Sequence, residues 1–183
     1  MNITDLETKD IKVHSKKEFK KLIAYALGIG VFMAAGWWLT TYTQLLEVTS
    51  ESLEGVRYIL VRKSDSIQRG DIVSIEGHHP LYVGDHIFTK RVVGLPGDQI
   101  TNPLRGKTEN GLTIKAKNDS FTIIFPLLAY TKEGQVLTPL PNQAIPEGYI
   151  FIVGDHPRSF DSRYAEFGLV SMDKIYGKAL LKW

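Results

Sequence analysis

Phe88-Thr89-Lys90-Arg91-Val92-Val93-Gly94-Leu95-Pro96-Gly97-Asp98 decides the reading of this chain. The run is apolar and β-branched and closes in Leu-Pro-Gly-Asp, which predicts a strand that ends in a tight turn. A lysine on such a strand can turn its amine into the protein, where the charged form is disfavoured and the pKa falls. An amine of lowered pKa can act as a general base near neutral pH. Lys90 is therefore a candidate base. Arg91 is not, because it points the other way on a strand and its guanidinium stays protonated. Most lysines do no chemistry, so the case also needs Ser50-Glu51-Ser52-Leu53 and Gly154-Asp155-His156-Pro157-Arg158-Ser159-Phe160-Asp161-Ser162-Arg163-Tyr164.

Working outward, the 183 residues suffice for one domain with appendages. The formal net charge is only +2, and no basic cluster interleaved with aromatics follows residue 21, so no nucleic-acid partner is expected. Cysteine is absent, which excludes thiol catalysis, thiolate metal sites and disulfides. His78 and His79 are adjacent and would face opposite ways on a strand, a poor metal pair. There is no His-Glu-x-x-His, Gly-x-Ser-x-Gly or phosphate-binding glycine loop. No cofactor or metal is expected.

Residues 22 to 46 carry no Asp, Glu, Lys or Arg. A helix needs roughly 20 mostly apolar residues to cross the bilayer core. Trp37, Trp38 and Tyr42 lie near one end, where amphipathic rings favour the headgroup level, and Gly28, Gly30 and Gly36 suit a membrane helix better than a soluble one. The run is long for a cleavable leader and has no clean small-x-small site just after it. Six lysines (9, 12, 16, 17, 20 and 21) precede it, and the next basic residue is Arg57. The lysine-rich side stays in the cytoplasm. The expected organisation is a cytoplasmic tail over 1–21, a transmembrane anchor over 22–44 and an exported domain over 45–183.

The exported part reads as strands and turns. Strands are expected at 56–62, 71–75, 88–93, 111–115, 120–125, 149–153 and 175–181, with Gly and Pro punctuating them as in an all-β fold. Residues 102–110 are polar and read as a loop. The apolar stretch 121–130 is either core or a surface resting on the membrane, and the sequence leaves both open.

These motifs resemble those of type I signal peptidases, membrane-bound serine proteases with a Ser-Lys dyad. More closely, they resemble the conjugative-transfer branch that matures pilin precursors. The resemblance covers most of residues 15–183, in the family order of anchor, nucleophile segment, lysine segment and Gly-Asp segment. It implies a mostly β, signal-peptidase-like catalytic domain with one N-terminal transmembrane helix, held in the cytoplasmic membrane with the catalytic domain in the periplasm. Ser52 aligns with the nucleophile and Lys90 with the general base, a variant of triad logic. Ser159 aligns with a serine that orients the lysine. Asp161 and Arg163 align with a structural ion pair that can involve Arg91. The backbone N–H of Ser52 would hold the oxyanion, a donor worth roughly 3–4 kcal/mol, and the hydroxyl of Ser50 is a further candidate donor.

The implied partners are an exported precursor, pilin-like, and membrane lipid. The implied reaction is endoproteolysis through an acyl-enzyme on Ser52. On the same dyad, a transpeptidase could instead cyclise the pilin. A rival of another class is a catalytically inactive, membrane-anchored assembly factor. Its motivation is the departure from the family pattern at Glu54, Gly55 and Val56, and at His156-Pro157. A housekeeping secretory peptidase is disfavoured by length.

Overall fold

The computed structural model describes residues 3–48, 53–64, 66–77, 87–102 and 111–183, with side chains from residue 17 onward in the N-terminal helix. The chain divides into two units, Met1–Tyr42 and Thr43–Trp183.

The first unit is one helix, α1 (Ile3–Tyr42). Its stretch Lys17–Tyr42 is 26 residues long, none of them buried against protein, and is long and apolar enough to cross a membrane. A helix of that length rises roughly 39 Å, ample for a bilayer core. Its large side chains are bare, Phe32 at 81% exposure. The hydroxyls of Thr40 and Thr41 donate to Trp37 O at 3.1 and 2.7 Å. The polar groups at the end of the apolar run are thus satisfied within the helix.

The second unit is mostly β, as the sequence implies. In chain order it holds β1 (Thr43–Glu47), β2 (Tyr58–Arg62), β3 (Ile72–Ile75), β4 (Phe88–Gly94), β5 (Gln99–Thr101), β6 (Gly111–Lys115), β7 (Thr122–Pro126), β8 (Gln143–Ala144), β9 (Tyr149–Val153), β10 (Val170–Ser171) and β11 (Ile175–Lys182). A seven-stranded sheet runs β1-β2-β11-β3-β4-β9-β10 and a four-stranded sheet runs β7-β6-β5-β8. The described pairings are all antiparallel.

Side-chain alternation explains the two cores. Val92 and Ile152 are register partners and join Val73, Ile75, Ile150, Phe167 and Val170 in one cluster. Val93, Phe151 and Val153 pack instead with Ile100, Leu112 and Ile114 of the smaller sheet. Strands β3 and β4 pair Val73 with Lys90, and Lys90 is two residues from Val92. Lys90 therefore shares the face of the first cluster. Phe121, Ile123, Phe125 and Leu127 are partly buried and pack on the second cluster, so one face of 121–130 leans on the core. Thr122, Ile124, Pro126, Ala129 and Tyr130 are exposed.

The Leu-Pro-Gly-Asp turn is bolted in place. Gly97 has φ +88°, a value that favours glycine. The buried Asp98 accepts from Leu95 N at 2.8 Å, Lys117 N at 3.1 Å and Arg69 Nη2 at 2.8 Å. Arg69 also donates to Val93 O and lies 4.7 Å above the Phe121 ring. The far end of β4 is thereby fixed to both sheets.

At Gly94 the strand passes too close to a neighbour for any side chain. An added Cβ would meet Ile145 Cδ1 and lie 2.8 Å from Phe151 Cβ. Gly94→Ala should lower stability by about 1–3 kcal/mol through overpacking. Gly28→Ala, with open space around it, should leave the melting of the β unit unchanged. Thermal unfolding of the detergent-solubilised full chain checks both.

Candidate active site

Lys90 sits mid-strand on β4 with 3% of its surface exposed. Phe88 and Val92 flank it on the same face. Its Nζ donates to Ser159 Oγ at 2.7 Å. Burial pushes the amine down from about 10.5 to about 8. The carboxylates of Asp161 and Asp155 oppose that shift, and the Arg163 guanidinium adds to it. Desolvation is the largest cause, so the apolar wall around Lys90 matters more than any one charge.

Ser159 is held from behind. Its carbonyl accepts Arg163 Nη2 at 2.9 Å and its N–H donates to His156 O at 2.9 Å. Arg163 and Asp161 form a fully buried, two-pronged pair, Nε to Oδ1 at 2.8 Å and Nη2 to Oδ2 at 2.9 Å. Asp161 also accepts Gly154 N at 3.0 Å and Arg163 N at 3.2 Å. Nη1 of Arg163 donates to Pro126 O and Pro157 O, both at 3.2 Å. One guanidinium thus ties the end of β7, the 157–159 loop and the Gly-Asp segment after β9 into one block. The geometry is that of a charge pair whose desolvation is offset by a full set of hydrogen bonds.

Arg91 stands apart from that block. It pairs with Asp155, Nε to Oδ1 at 3.1 Å and Nη2 to Oδ2 at 3.0 Å, and reaches Gly70 O at 3.4 Å. The hydrogen bonds it donates to Asp155 raise its already high pKa. The alignment suggested an arginine joining Asp161 and Arg163, whereas the partner is the other aspartate of the segment. Sequence reasoning missed this role of Asp155, since the two residues are 64 positions apart and only the β4–β9 pairing brings them together.

The structure therefore gathers Lys90, Ser159, Asp161 and Arg163 into one connected group and places Arg91 with Asp155 beside it. Ser50 and Ser52 lie outside the described residues, as do His78, His79 and His86. Leu53, next to Ser52, is buried at 2%. Among the described residues no group of three or more His, Cys, Asp or Glu could hold a metal ion.

A family model described as signal peptidase, peptidase S26, matches residues 16–183. The chain belongs to that family. Signal peptidase IB of Staphylococcus aureus (strain Mu50) is 27% identical over 188 residues, covering 90% of each chain. The protein of the same name from strain COL is 26% identical over the same shares. A crystal structure of a signal peptidase I from Enterococcus faecalis V583 aligns at 24% identity and a TM-score of 0.40, covering 65% of this chain and all of that one. Membership carries the coarse activity of a membrane-anchored serine peptidase that acts on exported precursors.

The two arginine pairs should respond differently to truncation. Arg163→Ala leaves a buried carboxylate without its partner and should cost about 3–5 kcal/mol. Arg91→Ala breaks a partly exposed pair and should cost about 1 kcal/mol or less. Denaturant unfolding of the two variants measures the contrast.

Proposed function

We propose that this protein is a membrane-anchored Ser-Lys endopeptidase, with Ser52 as nucleophile and Lys90 as general base. The observation that carries the reading is the Lys90 amine, buried and held by Ser159, with its pKa drawn down to about 8. The hydroxyl of Ser52 attacks the scissile carbonyl while neutral Lys90 takes its proton. Lys90 then returns that proton to the leaving amine, giving an acyl-enzyme on Ser52. A water activated by the same amine releases the product. Ser159 keeps the lysine on station, and the Asp161–Arg163 block keeps Ser159 on station. The backbone N–H of Ser52, with Ser50 as a further donor, holds the oxyanion.

The lysine-rich flank supports a cytoplasmic N-terminus over 1–21, an anchor over 22–44 and a catalytic domain over 45–183 on the outer side of the cytoplasmic membrane, the periplasm. The proposed substrate is a pilin precursor of a conjugation system, supported by the resemblance of the motifs to the conjugative-transfer branch. A second reading, general release of signal peptides, is favoured by the names of the Staphylococcus aureus relatives. Those relatives are matched over 90% of their length, so the short chain is no ground for setting that reading aside.

Ser52→Ala and Lys90→Ala should each abolish precursor processing while leaving the protein folded. Unchanged processing in both variants would favour the inactive assembly factor. N-terminal sequencing of products from pilin precursors and from ordinary exported precursors separates the two substrate readings. Intact mass separates hydrolysis from cyclisation.

The pH profile follows from the amine. Only the neutral form accepts a proton, so below the pKa activity should fall about tenfold per pH unit. With a pKa of about 8, roughly a tenth of the enzyme is competent at pH 7. The expected kcat/KM rises through an apparent pKa of about 8 and levels off above it.

A further inference from the structure

Each partner of the Lys90–Ser159 hydrogen bond has an aromatic residue beside it in the chain. Phe88 lies two residues before Lys90, on the same face of β4. Phe160 follows Ser159 directly. A third ring joins these two. Phe167 meets Phe88 edge-on, with centroids 5.9 Å apart at 84°, and meets Phe160 edge-on, 5.4 Å apart at 88°. Edge-to-face contact is a favoured aromatic geometry. One buried ring therefore bridges the strand that carries the amine and the segment that carries its serine partner.

Phe167 is 3% exposed, whereas Phe88 and Phe160 are only partly buried. It shares its core cluster with Val73, the register partner of Lys90, and with Val92, the next residue on the lysine's face. A tight turn presents it. The N–H groups of Phe167 and Gly168 donate to Tyr164 O at 3.1 and 2.8 Å, and Gly168 has φ +75°, a value that favours glycine. Tyr164 in turn stacks on Phe160, with centroids 6.5 Å apart at 10°. The charges that act on the Lys90 amine are Asp161, Arg163 and Asp155. Arg91 points away and pairs with Asp155, Asp71 before β3 pairs with Lys178, and Glu166 beside Phe167 accepts from Thr138 N. Replacing Phe167 by another apolar residue keeps every one of these charges, so it reaches Lys90 through packing and water access.

We propose that Phe167 is a positioning residue of the reaction, which by bracing Phe88 and Phe160 keeps water away from the Lys90 amine. This role rests on the Ser-Lys reading above, in which Lys90 is the base. Desolvation is the largest influence on that amine, and a desolvated site lasts only while the side chains that close it are themselves held in place. Phe88 and Phe160 are partly exposed, and Phe167 is the buried ring that contacts both.

The test is the pH profile of kcat/KM for the full-length enzyme in detergent, on a fluorogenic peptide spanning the cleavage site that product sequencing identifies. Phe167→Ala admits water to the amine, so the midpoint should rise by about one pH unit from its wild-type value of about 8. At pH 7 that is roughly a tenfold loss, and near pH 10 kcat/KM should return to within about twofold of wild type. Phe167→Leu keeps an apolar side chain without the ring and should raise the midpoint by roughly half a unit. Val170→Ala truncates another buried member of the same cluster; it should lower stability and leave the midpoint where it is. Should Phe167→Ala fail to fold, Phe167→Leu decides. The inference is wrong if folded Phe167 variants keep the wild-type midpoint, if they lose activity equally at every pH, or if Val170→Ala shifts the midpoint as far. A wild-type profile with no step near 8, or full activity in Lys90→Ala, contradicts the Ser-Lys reading itself.

Discussion

An ammonium group in an apolar setting is the constraint on which the rest of this structure turns. Lys90 is carried inward by the alternation of β4, between Phe88 and Val92 and across from Val73. A fully charged amine there is costly, and the protein answers by letting its pKa fall to about 8. A lysine on the opposite face of the same strand would meet Asp155, as Arg91 does, and remain charged. One residue of register therefore separates a proposed base from a surface ion pair.

Such an amine is useful only if it is held still, and the surrounding architecture does that. The β4 end is fixed through Asp98 and Arg69. The partner Ser159 is fixed through Arg163, which is itself locked to Asp161 and to the carbonyls of Pro126, Pro157 and Ser159. The buried ion pair is best understood as positioning rather than as a large net source of stability, because the desolvation of two charges takes back much of their attraction.

Much of this was legible in the sequence. The strands at 88–94, 111–115 and 149–153 carry long enough β patterns, with turn residues after them, to be located nearly to the residue. The short strands at 99–101, 143–144 and 170–171 have two or three residues, too few for any period to show. β1 was hidden for a different reason. Thr43-Gln44-Leu45-Leu46 continues the uncharged run of the helix, so no polarity change marks the switch after Tyr42. Lys90, Ser159, Asp161 and Arg163 were singled out by motif, and their hydrogen bonds needed the fold. The Arg91–Asp155 pair depends on a contact between distant segments, which spacing along a chain does not encode.

The most direct measurement is a titration of the Lys90 amine itself, by NMR of the full-length protein carrying lysine labelled at the ε-carbon, with the resonance assigned from Lys90→Arg. The account predicts a midpoint near 8, well separated from those of the exposed lysines. A midpoint at the ordinary value near 10.5 would contradict it, because only roughly one amine in three thousand would then be neutral at pH 7, against roughly one in ten at a midpoint of 8.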